Sequence, residues 1–138
     1  MKESIQVGDF VYCRSRRYRD QLQLPEEASL VIEIKRSNFK VVYKSDKRAW
    51  LPRDLISRVQ APADSPFLSR LNFLLKRVHA HECELVSHDG VHRLAARIDH
   101  IDHIAVNELR DFLGSDFVSL AVVPEGMAFM QLEIEFRL

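Results

Sequence analysis

Glycine is scarce in this chain: there are four in 138 residues, at positions 8, 90, 114 and 126. A glycine-rich phosphate loop needs several glycines packed into one turn, so that route to nucleotide chemistry is excluded. Each of the four instead falls where a turn or a helix cap is expected. Cysteine is scarcer still. Cys13 and Cys83 sit inside apolar alternating runs, which excludes a disulfide framework and predicts two buried, reduced thiols. No stretch approaches the roughly 18 apolar residues of a membrane span, and residues 1–7 (MKESIQV) lack the apolar segment of a signal peptide. The expectation is a cytoplasmic protein with no membrane contact. Net charge is also absent, with 20 Lys and Arg against 20 Asp and Glu.

What is present is a composition of 46% hydrophobic and 29% charged residues, that of a chain able to bury a core. The neutral total conceals a division. Residues 1–60 carry 13 basic against 8 acidic side chains, +5; residues 61–138 carry 7 against 12, −5, and hold all six histidines. Two differently built halves are expected, 1–60 and 61–138, meeting at Gln60 to Pro66 (QAPADSP), where two prolines interrupt both periodicities. Opposite charge gives such halves a means of attracting each other, within one chain or between two copies.

The first half reads as short strands. Phe10 to Arg14, Leu30 to Lys35 and Phe39 to Lys44 each alternate with period two, Ser37-Asn38 and Ser45-Asp46-Lys47 supply turns, and Pro52 with Asp54 turns the chain into Ile56 to Val59. Five short strands in so few residues hide their edges by curling. The order "VGDFVYCR", a long loop, "ASLVIEI", "FKVVYKSD" and "AWLPRDLISRV" resembles an SH3-like barrel of the Tudor type over residues 5–59. That resemblance implies a five-stranded barrel and, in Tudor domains that bind methylated Lys or Arg, an aromatic cage. Of the cage positions only Tyr43 is aromatic here. Ser15 and Glu26-Glu27 stand at the others, so the resemblance does not carry methyl recognition with it.

The barrel's candidate site is its basic loop. Arg14, Arg16, Arg17 and Arg19 crowd around Tyr18, and Lys44, Lys47 and Arg48 lie on another turn next to Trp50. Arginines for phosphate and aromatics for base stacking are the two ingredients of sequence-tolerant binding to single strands or RNA. The plainer alternative is a solvated loop balanced by Asp20, Glu26 and Glu27, or one that docks on acidic residues such as Glu133 and Glu135. The partner is thus an acidic one, nucleic acid or protein, and self-association through the complementary halves is the competing reading.

The second half follows the order α-β-β-α-β-β, a two-layer sandwich on a four-stranded antiparallel sheet. A helix capped by Asp64 or Ser65 buries Phe67, Leu68, Leu71, Leu74, Leu75 and Val78. A hairpin about Asp89-Gly90 pairs residues whose numbers sum to 179, so that Cys83 faces Ala96, Leu85 faces Leu94, His81 faces Ile98 and Glu82 faces Arg97. A second helix starts at Asp102 or Asn107, buries Leu109, Phe112 and Leu113 and ends at Gly114. Phe117 to Val123, nearly all apolar, reads as a central strand. In the last strand Ala128, Met130, Leu132, Ile134, Phe136 and Leu138 face inward. His79, His81, Cys83 and His92 are nitrogen and sulfur donors but lack the paired spacing of a zinc site. Asp99, His100, Asp102 and His103 read as capping and solvation. A nucleophile at Cys83 or Ser87 with His81 or His92 as base would need a cleft that no motif supplies. The expectation is a non-catalytic binding module with no cofactor or metal.

Overall fold

The computed structural model describes residues 4–24, 28–43, 47–60, 65–126 and 128–137. It is a mixed α+β protein with two antiparallel sheets and three α-helices among the described residues. The chain groups into two compact units, Met1–Phe73 and Leu74–Leu138. The expected boundary falls mostly on residues 61–64, which lie outside the described ones; the observed division comes later, inside a helix that runs straight through it.

The first sheet holds β1 (Phe10–Cys13), β2 (Ser29–Lys35), β3 (Asn38–Tyr43), β4 (Lys47–Pro52) and β5 (Ile56–Val59), in the order β4-β3-β2-β1-β5. Consecutive strands β4 and β5 therefore occupy opposite edges. Laid flat, edges four strand spacings apart would be separated by about 19 Å. The four residue steps from Pro52 to Ile56, through a 3-10 turn at Arg53–Leu55, reach about 14 Å at most. The sheet is bent so that its two outer strands approach each other at this end. The expected strands and the Pro52 turn are all present, with Ser45 and Asp46 outside the described residues. Inward side chains Val11, Val31, Phe39, Val41, Tyr43, Leu51 and Ile56 form one buried cluster with Cys13. Gly8 takes φ +94°, and the turn it makes lets its N–H donate to Val31 O at 2.8 Å while Val31 N donates to Asp9 O at 2.9 Å.

Helix α2 (Pro66–Arg77) starts where Ser65 Oγ accepts the Leu68 N–H, and its six expected apolar residues are all buried. Within the first unit Asn72 Nδ2 donates to Gly8 O at 2.6 Å. The second sheet contains β6 (Glu82–His88), β7 (Val91–Ile98), β8 (Phe117–Glu125) and β9 (Phe129–Arg137), ordered β6-β7-β9-β8. The hairpin register is the expected one: Cys83 pairs with Ala96, Leu85 with Leu94 and Glu82 with Arg97. Helix α3 (His103–Leu113) begins at Asp102, whose Oδ1 accepts the Ala105 N–H at 2.7 Å, which decides between the two starts.

Three expectations are corrected in this unit. Strand β8 is an edge strand, not a central one, and Val118, Val122 and Val123 remain 40–45% exposed. Phe112 is 41% exposed because α3 turns Ala105, Leu109 and Leu113 inward instead. Ala128 is exposed, whereas Leu132, Ile134 and Phe136 are buried as expected; Leu138 lies outside the described residues.

Candidate functional site

The arginine-rich segment is a helix, not a loop. Ser15 is extended and its Oγ accepts the Tyr18 N–H at 3.3 Å, which opens the seven-residue helix α1 (Arg16–Leu22). Gln23, at φ +54°, closes it. Tyr18 and Leu22, four residues apart, share a face and pack against the buried cluster of the sheet. One apolar pair within seven residues is too short a signal for periodicity to register, which is why the helix was not expected.

This helix divides the arginines by task. Arg14 N donates to Leu55 O at 2.7 Å and its guanidinium donates to Asp54 O, so it fastens the entry of α1 to the 3-10 turn. Arg19 folds back: Nη1 donates to the Tyr12 hydroxyl at 2.7 Å, and the guanidinium lies 5.2 Å from the Tyr12 ring centroid. Arg16 forms an exposed i,i+4 pair with Asp20 at 3.8 Å, an arrangement that contributes little in water. Arg17 instead lines a concavity of about 630 Å³ together with Ser15, Tyr18, Gln21, Leu22 and Trp50. The structure thus brings Arg17, Tyr18 and Trp50 together and uses Arg14 and Arg19 for support.

Tyr43, the one aromatic at an expected cage position, is 4% exposed; its hydroxyl donates to Leu22 O at 2.8 Å and so holds the end of α1. Burial pushes its phenol pKa up. Lys47 and Arg48 are exposed at the start of β4, and alternation sets Arg48 on the same strand face as Trp50. Lys44 lies outside the described residues.

Trp50 is 43% exposed. Lys40 pairs with it across β3 and β4, its Nζ 5.9 Å from the ring centroid and 3.8 Å from Glu33. A second concavity, of about 420 Å³, lies on Trp50 with Lys35 and Asn38. Lys35, Asn38, Lys40 and Gln21 were missed by the sequence reading. The signal for Lys40 was available, because a β3–β4 register summing to 90 puts it opposite Trp50.

The histidines are dispersed. His81, expected to face the buried Ile98, is exposed instead, with Nε2 3.5 Å from Asp99 and its ring edge-on to Phe129. His79 closes α2 with φ +53°, and Cys83 and Cys13 are buried thiols outside any disulfide. Asp99 accepts from His100 and His81, and the His100 contact foremost holds its carboxyl below the ordinary value. Among the described residues no three His, Cys, Asp or Glu side chains come together as a metal site.

His92 is the one buried histidine, its Nδ1 2.6 Å from Ser87 Oγ. Burial lowers its pKa, since the charged ring would lose water. With the folded value below the unfolded one, this residue's contribution is complete above about pH 6.5 and is lost as pH falls from there toward the folded pKa. Urea midpoints measured from pH 7.5 down to about pH 5.5 will fall less steeply in His92→Gln than in the native protein. Equal slopes would mean that His92 charges freely when folded.

Comparison with protein-family models, with curated proteins and with solved structures finds no match to this chain.

Proposed function

We propose that this protein is a non-catalytic binding module that lays a single-stranded, phosphate-bearing nucleic acid across the outer face of β4, on a first unit built as a small barrel of the SH3 or Tudor type. The barrel reading is supported by the strand order and by the short link that carries the chain from one edge strand to the other. The binding reading rests on one observation: a tryptophan 43% exposed that lines two concavities, one shared with Arg17 and the other with Lys35.

An indole that exposed can stack on any base, and stacking of this kind contributes about 1–3 kcal/mol per base. Arg17 borders one concavity and Lys35 the other, so phosphates on both sides of a stacked base meet a cation. Lys40 steadies the ring from the neighbouring strand. A bidentate or cage-like pocket for one particular base is not needed, and sequence-tolerant binding follows.

Trp50 is the only tryptophan, so its emission reports the site directly. Titration with single-stranded RNA and DNA oligomers should quench it saturably, and affinity should fall steeply with salt. With a labelled oligomer followed by anisotropy, Trp50→Ala should bind roughly tenfold to a hundredfold more weakly. Arg17→Ala should reduce the salt slope by about 1. Absence of saturable binding at low salt, or an unaltered affinity in folded Trp50→Ala, rejects the reading and leaves an acidic protein surface as the partner to seek.

A further inference from the structure

The four outer strands of the two sheets are not alike. β4 carries Lys47 and Arg48, β5 carries Arg58, and β6 carries Glu82, Glu84 and His88. Charges of this kind are what keep an open strand edge from pairing with another chain. β8 has none from Phe117 to Pro124, eight consecutive uncharged residues, and only Glu125 at its end is ionisable.

The strand is also uncovered. Among the described residues it pairs on one side only, with β9, and Val118, Val122 and Val123 are 40%, 40% and 45% exposed. Leu120 and Val122 sit beside buried Ile134 and Leu132 on one face of the sheet, and Ala121 and Val123 beside Glu133 and Gln131 on the other. Both faces of β8 therefore present apolar side chains to water, while its outer row of backbone groups has no partner strand among the described residues.

We infer that β8 is a self-pairing edge: a second copy of this chain adds its own β8 in antiparallel register about a two-fold axis near Ala121, joining two four-stranded sheets into one of eight strands. The occupant is a strand because the free groups are a row of backbone donors and acceptors. It is a copy of the same strand because the surface complements itself. A two-fold axis normal to the sheet returns each face of β8 to the same face, so Leu120 of one copy meets Val122 of the other on one face, and on the other face Ala121 meets its own counterpart while Val123 meets Ser119. No charge is brought against a charge or buried without a partner, as would happen if β8 met β6 or β4.

Analytical ultracentrifugation of the full chain over a dilution series tests this. The native protein should sediment as a dimer that dissociates on dilution. Val123→Lys, which gives β8 the sort of charge that β4 already carries, should weaken the dimer roughly a hundredfold, since it sets a lysine against the uncharged edge of the other copy, opposite Ser119, at both ends of the junction. Position 123 is exposed in the single chain, so the fold should be kept, and far-UV circular dichroism checks it. Hydrogen exchange on the native protein supplies a readout that needs no variant: β8 amides should be protected in the dimer and exchange faster on dilution, while those of β7 do not change. A monomer at every concentration, a dimer indifferent to Val123→Lys, or β8 exchange that ignores dilution overturns the inference.

Discussion

Phe136→Ala lowers the free energy of unfolding of the second unit by about 3–5 kcal/mol. The residue is fully buried on β9, an interior strand of its sheet, with Phe117 paired beside it on β8 and the His92 ring 5.4 Å away on β7. Removing the ring leaves a void that three strands border, and a sheet hydrogen-bonded on both sides of β9 has little freedom to collapse into it. Domains of this size are stable by only about 5–15 kcal/mol, so the loss is a large share of the total. Denaturant unfolding followed by far-UV circular dichroism measures it. Phe136→Leu, which keeps most of the volume, should lose clearly less. A cost below about 1 kcal/mol for the alanine variant would mean that this end of β9 is frayed in solution.

The second large effect is expected at Asp9, a carboxylate 4% exposed at the head of β1. Its Oδ2 accepts the Gln6 N–H at 2.8 Å and lies 3.7 Å from Arg58 Nε on β5. Two interactions compete to explain why a charge is buried there. The Arg58 side chain is 43% exposed, so water screens the ion pair and its share is under about 1 kcal/mol. The Gln6 hydrogen bond has a charged acceptor and would be left open by truncation, at a cost of about 1–3 kcal/mol. Asp9→Ala should therefore cost about 1–3 kcal/mol, and Arg58→Ala well under half of that. Asp9→Asn, which keeps the acceptor, should fall close to Arg58→Ala. If Arg58→Ala matches Asp9→Ala in its denaturation midpoint, the ion pair and not the turn holds this corner.

Much of the fold was legible because two local rules dominate it. Asp89-Gly90 permits a two-residue turn, Asp89 and Gly90 both having positive φ, and that turn fixes the β6–β7 register to the residue. The six apolar residues of α2 follow a helical repeat long enough to be unmistakable. The apolar run of β8 reads the same for an edge strand as for a central one, and Pro124 is the residue that tells them apart. Proline has no N–H to donate to a ladder and so points to an edge. The site was half legible. Residue chemistry alone points to Arg17, Tyr18 and Trp50, but the division between the arginine that lines the concavity and those that support the helix depends on α1. Arg14 and Arg19 are spent on Asp54 and Tyr12, partners that only the helix and the 3-10 turn bring within reach. Alternation sets Tyr43 on the buried face of Phe39 and Val41, but not the partner of its hydroxyl, because Leu22 O is brought within reach only by α1.

The three-residue link between β4 and β5 has a consequence for the order in which the first unit assembles. β2, β3 and β4 are joined by short connections and pair with near neighbours in the chain, so they can form early. β1 and β5 pair residues such as Phe10 and Val59 across nearly the whole unit, and ordering that much chain is slow to be rewarded. The Trp50 platform belongs to the early meander, whereas the helix that completes its concavity hangs from β1. The exposed tryptophan and its strand neighbours are therefore in place before Arg17, which lines the larger concavity, has arrived.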